Sequence, residues 1–409
     1  MKRKGSSSKA LSNFAPRELL SITQAKFLCK RLFRVLLKSF LNKDGDGLDT
    51  IKLLVLYSVE NRQPVAFSKQ PGNIPDKISL ANALRQLDML DLASPVIVAD
   101  NGFYSQDNMT HFAREHTKFL MLANSTDKWV RSEIDAAREE LGHFRNVCPF
   151  DVDVSGVMRR RQHGFSIVRK RTRGNFEAGE TESFTRRLYV HVFHKPEAAP
   201  IQERRLRESL FSLKKDLEDG VEEFRPAAQK QIDSYLTVKR TAKGVKVDFK
   251  MDGIEEAKRY WGYFVLVSNE IKDPFDALKA YRSREKIEEL FATYKDSFDG
   301  RKPRTWYPEN LYGRQFAQFV GLGYHCFLAK RILDVKKALS EKETEGKTKE
   351  ELSLEAKLLA WLNQHSLIQI LDWFRCVDYV AATGNASASK WTTETTRRDQ
   401  LFLKMLGVK

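Results

Sequence analysis

Pro95–Tyr104 reads PVIVADNGFY, a short apolar run that meets a carboxylate and then a turn. Pro95–Ala99 is unbroken and rich in β-branched residues, the pattern of a strand covered on both faces of a sheet. It ends at Asp100, and Asn101-Gly102 supplies turn chemistry. Downstream, the spacing predicts a helix over Gln106–Glu115 and an apolar strand over Phe119–Ala123. Upstream, Ile51–Val59 (IKLLVLYSV) and Pro64–Lys69 (PVAFSK) flank the polar turn ENRQ and read as a β-hairpin. Pro71–Asp76 is turn chemistry, and Leu80–Leu90 has helical periodicity. Hairpin, helix, strand, helix, strand is an α/β order. A carboxylate at the carboxyl end of a buried central strand stands where open α/β sheets place their ligands. An Asp that caps the next helix explains the same residue equally well.

Composition bounds the rest. The chain has 409 residues, 42% apolar and 11% aromatic, enough for one large elaborated domain or two to three smaller ones. Its formal charge is +16, which favours an acidic partner, nucleic acid foremost. Cys29, Cys148, Cys326 and Cys376 show no CxxC spacing, against both a zinc site and a disulfide framework. No apolar run approaches the length of a membrane span, and no secretory signal is visible. The expected setting is therefore reducing and cytoplasmic. Eleven Lys or Arg and a single acid, Glu18, fall within the first 43 residues. Residues 1–15 read as disordered, and 17–41 as a basic helix, either a solvated face or a DNA contact.

Residues 125–257 change character and read as an inserted α+β subdomain. Arg159-Arg160-Arg161, Arg169-Lys170-Arg171 and Arg173 surround the apolar strand Phe165–Val168. A basic hairpin of this kind can track a phosphate backbone, and a solvated strand face reads the same way. His191 and His194 lie on or just after the strand Leu188–Phe193 and read as structural. The sheet resumes at Tyr263–Ser268 (YFVLVS). Residues 275–298 carry the strongest helical pattern, with Pro274 just before them. On this pattern lie Tyr281, Arg284, Glu288 and Lys295. The last three, at spacings of four and seven, would share one stripe of a continuous helix. A Glu between cations suits a polyanion site, the acid holding a metal ion and the cations phosphates. Ordinary surface ion pairs would give the same stripe. Beyond it, Leu358, Trp361, Leu362, Ile370, Leu371 and Trp373 read as a C-terminal helical core, and Ser340–Glu351 as a charged loop.

The pattern Tyr281-x2-Arg284-x3-Glu288-x6-Lys295 resembles the YREK signature of bacterial insertion-sequence transposases of the DDE superfamily, in the IS-four group. Val96–Ser105 is similar to that group's second-aspartate block. Asn42–Asp46, Pro71–Asp76, Gly262–Phe264 with Ser268-Asn269, and Leu367–Lys404 resemble further blocks, so the likeness runs from about residue 40 to 409. It implies an RNase H-like mixed sheet flanked by helices, with an inserted α+β subdomain and a helical C-terminal tail. The expected divisions are 1–40, 41–124, 125–257, 258–335 and 336–409. It implies that Asp100 and Glu288 ligate Mg²⁺ or Mn²⁺, and that Tyr281, Arg284 and Lys295 position the transposon end. Further DNA contacts are expected at Arg159, Arg160, Arg161, Arg169, Lys170 and Arg171. The partners are double-stranded DNA, as terminal inverted repeats and target, and a second copy in the DNA complex, associated with the nucleoid. The reaction is phosphodiester hydrolysis followed by strand transfer. The family's first Asp belongs on the opening strand, but the first Asp of this chain is Asp44, which with Asp46 and Asp49 falls in the turn before the second strand. The expectation is a gene disrupted at its 5′ end, joining unrelated sequence near residue 40. Two rival readings follow: an inactive remnant that only binds DNA, and an RNase H-like nuclease without strand transfer.

Overall fold

The computed structural model describes residues 34–38, 51–59, 61–71, 96–168, 179–241, 244–296, 307–341, 346–381, 390–393 and 395–407. They fall into two compact units, 1–59 with 66–287 and 60–65 with 288–409.

The first unit is built on one sheet. Its first five strands are β1 (Arg34–Lys38), β2 (Ile51–Ser58), β3 (Gln63–Pro71), β4 (Val96–Ala99) and β5 (Lys118–Ala123). They lie in the order β3-β2-β1-β4-β5. β1 runs antiparallel to β2 and parallel to β4, and β4 runs parallel to β5. This is the RNase H-like arrangement. The opening strand corrects the helical reading of residues 17–41, the rest of which lies outside the described residues. Local periodicity is a weak prior. Here neighbours on both sides offer Arg34–Lys38 the backbone partners that a strand needs.

Beyond β5 the sheet continues through β11 (Tyr263–Ser268), β8 (Thr181–His194), β7 (Asp151–Val168) and the two-residue β6 (Val147–Cys148). The long β7–β8 hairpin, expected within an inserted subdomain, therefore extends the main sheet, with β8 paired to β11. One sheet face packs on α1 (Gln106–Arg114) and α2 (Lys128–Leu141). Leu54, Leu56, Ile97, Ala99, Phe119, Met121, Val190, Val192, Val265 and Val267 meet Met109, Phe112, Val130 and Ile134 there. Val96 and Val98 are also buried, on the opposite face, so the unbroken apolar run has the two-sided cover it predicts. A small cluster of α3 (Ala198–Glu218), α4 (Pro226–Tyr235), α5 (Met251–Lys258), β9 (Leu236–Thr241) and β10 (Gly244–Phe249) has its own core. That core comprises Leu210, Leu213, Ile232, Leu236 and Val247.

The pattern over 275–298 divides into α6 (Pro274–Arg282) and α7 (Glu285–Asp296), a correction to the single helix expected. Ser283 and Arg284 form a turn between them. The Ser283 hydroxyl donates to the Ala280 carbonyl, the kind of local bond that competes with helix continuation.

The second unit is helical. α8 (Pro308–Ser340), α9 (Lys349–Gln364), α10 (Leu367–Trp373) and α11 (Arg397–Leu406) bury Ile332, Val335, Leu339, Leu358, Trp361, Leu362, Ile370 and Phe402. Leu371 and Trp373, expected in this core, are 45% and 46% exposed. The Arg398 guanidinium lies over the rings of both Trp361 and Trp373. No described helix is long and apolar enough to cross a membrane.

Gly156 marks the tightest approach on the α6 face. A Cβ there would stand 2.7 Å from the Phe193 ring and 3.2 Å from Phe275, whereas one at Gly164 would meet nothing within 4 Å. Gly156→Ala is expected to cost about 1–3 kcal/mol by overpacking, and Gly164→Ala no more than about 0.5 kcal/mol. Urea unfolding of the two variants reads the contrast directly.

Candidate functional site

The site begins where β4 stops. Asp100 is extended, and its Oδ1 accepts from the Asn101 amide at 2.8 Å, capping a 3-10 turn over Asn101–Phe103. Ser105 caps α1 in turn. The capping reading of Asp100 is therefore realised, and a second set of contacts is added to it. The Tyr281 hydroxyl donates to the same Oδ1 at 2.9 Å, and Arg284 Nη1 lies 2.6 Å from it. The guanidinium also covers the Tyr281 ring, 4.6 Å from its centroid. Asp100 and Arg284 keep 38% and 34% of their side chains exposed, so solvent weakens the ion pair to at most about 1 kcal/mol.

Local sequence explains how these groups, 181 residues apart, meet. Ser268 ends β11. Its hydroxyl donates to the Phe119 carbonyl and accepts from the Glu270 and Ile271 amides. The Asn269 side chain brackets β5, accepting from the Phe119 amide and donating to the Thr117 carbonyl. Lys118 and Glu270 pair at 3.0 Å. Asp273 then caps α6, accepting from the Phe275 and Asp276 amides, with Pro274 at the first helical position. Ala277, Leu278, Ala280 and Tyr281 are buried, and the small alanines let α6 approach the sheet closely. The turn after Arg282 then frees Arg284 from the helical stripe. Arg282 itself pairs with Asp151 and holds that carboxyl below the usual range.

The hairpin arginines separate by face. Arg159 and Arg161 lie on the α2 side, where both pair with Glu133, at 3.0 and 2.7 Å, and Arg159 also reaches Glu140. They neutralise a carboxylate that is only 12% exposed. Arg160 is exposed on the other face, in register with Tyr189, and Arg187 stands opposite Gln162 there. Arg187 was not singled out from the sequence. Strand alternation read across the hairpin register is the signal that finds it. Arg169, Lys170 and Arg171 lie outside the described residues. Glu288, exposed, and Lys295, half-buried, sit on α7 in the second unit, seven residues apart and thus on one stripe.

His191 supports the loop that leads into α6. It is fully buried, and its Nε2 bonds to the Ile271 carbonyl at 3.1 Å. Burial lowers its pKa to about 4. His163 is likewise buried and lowered, chiefly by burial and then by Arg161.

A two-ion site needs several hard oxygen ligands at one point. No group of three metal-binding side chains occurs among the described residues, and β1, Arg-Val-Leu-Leu-Lys, contains no acid. Asp44, Asp46 and Asp49 lie outside the described residues. The described donor set is thus incomplete for two ions, and the carboxylate at the strand end is already occupied by a cation.

The sequence model of the transposase DDE domain matches residues 38–310. The chain belongs to this family. No curated protein matches the chain. Asp100, Tyr281, Arg284, Glu288 and Lys295 all fall within the matched span. Family membership makes the chain a transposase by class, with DNA as its partner.

Two outcomes follow from the electrostatics. Glu133→Ala takes the carboxylate from Arg161 and leaves Arg159 with Glu140 alone, and is expected to cost about 1–3 kcal/mol. Arg160→Ala should leave stability unchanged in the same denaturant titration. The unfolded chain protonates His191 near pH 6.5, whereas the folded chain resists until about pH 4. The stability it contributes is therefore full above pH 6.5 and falls as pH drops through that window. The slope is at most about 1.4 kcal/mol per pH unit. His191→Gln should flatten this dependence in thermal melts taken from pH 7 to pH 4.5.

Proposed function

We propose that the chain is an insertion-sequence transposase of the YREK type that engages the ends of a mobile DNA element. The observation that carries this reading is the convergence of Asp100, Tyr281 and Arg284 at the carboxyl end of β4. A phenolic hydroxyl and a guanidinium, fixed by α6 and the turn after it, form a donor pair suited to a phosphodiester oxygen. The resemblance gives Lys295 on α7 the role of a further phosphate contact. Arg160 and Arg187 extend the basic surface along the exposed hairpin face. Asp100 and Glu288 are the residues that would hold Mg²⁺ or Mn²⁺, and a bound ion would polarise the phosphodiester and activate the attacking water or 3′-hydroxyl. Hydrolysis and strand transfer by a dimer complete this reading. The described carboxylates are too few to hold two ions.

The acid-free β1 favours a second reading, a transposase-family protein that binds DNA ends without cutting them. Both readings are tested on a duplex carrying the inverted repeats that flank the chain's own gene. Tyr281→Phe and Arg284→Ala should weaken end binding about tenfold or more, roughly 1.4 kcal/mol. Arg284→Ala should also lower the salt slope by about one. With Mg²⁺ the wild type should nick the element end and join it to target, and Asp100→Asn and Glu288→Gln should abolish both steps. End binding with no cleavage in Mg²⁺ or Mn²⁺ selects the second reading. Cleavage without joining and without end preference would point to a simple nuclease, and equal affinity for random duplex would sink the transposition reading.

A further inference from the structure

The β7–β8 hairpin outruns the sheet that it extends. β11 pairs with β8 over residues 189–194, and β6 meets β7 at Asp151 and Ser155. Past these points residues 162–168 and 181–187 form a two-stranded ribbon, with no further strand on either edge among the described residues. We propose that the outward face of this ribbon lies in the major groove of the element end and reads its sequence, with Gln162 as the base-reading side chain. This goes beyond the phosphate contacts of Arg160 and Arg187, and it rests on the reading of the chain as one that engages DNA ends.

The inward face of the ribbon is fixed by packing. Phe165 and Leu188 join the core under α1 and α2, and Phe184 packs against it, stacked on Phe165 at 5.4 Å. His163 Nε2 meets the Gln106 amide of α1 at 3.1 Å, and Arg161 pairs with Glu133 of α2. Alternation then turns Arg160, Gln162, Gly164 and Ser166 outward, in register with Tyr189, Arg187, Thr185 and Ser183. Tyr189 is buried, and the other seven are exposed. None of them is acidic, and Glu182 stands opposite Ile167 on the helix side. The side chains of Gln162, Ser166, Ser183 and Thr185 make no hydrogen bond among the described residues. A Cβ at Gly164 would meet nothing within 4 Å, so the middle of the face is uncovered.

Shape and chemistry both fit a groove. Two strands about 4.8 Å apart pass into a major groove about 12 Å wide, which admits a β-ribbon. From 162 to 168 the ribbon runs about 20 Å, the rise of about six base pairs. Gly164, Ser166, Ser183 and Thr185 are short, so base edges can come close to the strands. Gln162 is the longest uncharged side chain among the exposed outward positions. Its amide offers the acceptor and donor that match adenine N6 and N7 in the major groove. Arg187 stands directly opposite Gln162, and Arg160 lies two residues before it. Cations so placed reach the phosphates at the lip of the groove and hold the amide in register, which turns its preference into specificity. The inward packing sets the ribbon in advance, so little ordering is left to be done on binding. A face that only met solvent would tolerate acids among its cations, and this one has none.

The test measures binding of the full chain to two labelled duplexes by fluorescence anisotropy. One carries the inverted repeat that flanks the chain's own gene, and the other is a scrambled duplex of the same composition. Gln162→Ala, Gly164→Leu, Arg160→Ala and Arg187→Ala are compared with the wild type, each checked for fold by circular dichroism. Gln162→Ala should cut the preference for the repeat about tenfold and leave the salt slope unchanged. Gly164→Leu, which fills open space in the free protein, should remove the preference as well. Either arginine variant should weaken both duplexes alike and lower the salt slope by about one. Adenines of the repeat are also replaced singly by 7-deazaadenine, which lacks the N7 acceptor. One such position should weaken the wild type and leave Gln162→Ala unaffected. If Gln162→Ala and Gly164→Leu keep the wild-type preference, the ribbon reads no bases, while the end-binding reading stands. If the wild type itself binds both duplexes equally, the end-binding reading fails and base reading falls with it.

Discussion

β4 has no face open to water. Ile97 and Ala99 pack under α1 and α2, Val96 and Val98 are buried opposite, and β1 and β5 take its backbone groups on either edge. A strand so enclosed can carry a charge only where it leaves the sheet. Asp100 is that first position, half-exposed, where a carboxylate keeps its charge and can take partners from the loop and from a neighbouring element. The following amide caps it on one side, and a hydroxyl and a guanidinium arrive on another. The chemistry of the site is a consequence of where the sheet allows a charge to surface.

The second half of the site is delivered by a short chain of hydrogen bonds. Ser268 and Asn269 tie the end of β11 to β5, and His191 holds the Ile271 carbonyl from below. Asp273 and Pro274 then start α6 at a defined point. Gly156 and the alanines of α6 let the helix settle against Phe193 and the strands around it. Each link is local, yet together they carry Tyr281 to the end of a strand 181 residues earlier. Loss of Gly156 or His191 would therefore be felt at Asp100 without either residue touching it.

The basic charge of the chain is sorted by the same sheet. Alternation sends Arg159 and Arg161 inward to Glu133 and leaves Arg160 outward beside Arg187. Two of three consecutive arginines thus serve the packing of α2, and the hairpin's exposed face keeps the charge available to a polyanion. The same division applies around Asp100, where Arg282 is taken up by Asp151 and Arg284 by Asp100 itself.

The apolar runs of β2, β4, β5 and β11, the turn chemistry around them and the Tyr–Arg–Glu–Lys spacing are local properties. They were legible in the sequence, and with them the α/β class, the family and the position of Asp100 at the end of a strand. The opening strand was not. Arg34–Lys38 lies in a stretch whose apolar spacing reads as helical, and pairing with β2 and β4 makes it a strand. Nor was the break at Ser283–Arg284, because a periodic pattern does not record which side chain is drawn out of its stripe by a carboxylate on another element. The inward or outward role of each hairpin arginine likewise waits on the register with β8. Sequence by itself determined which residues could form strands and helices, since those depend on neighbours a few positions away. Tertiary structure alone decided that Asp100 is held by Tyr281 and Arg284, because that contact depends on a helix docking across a sheet, which no local window contains.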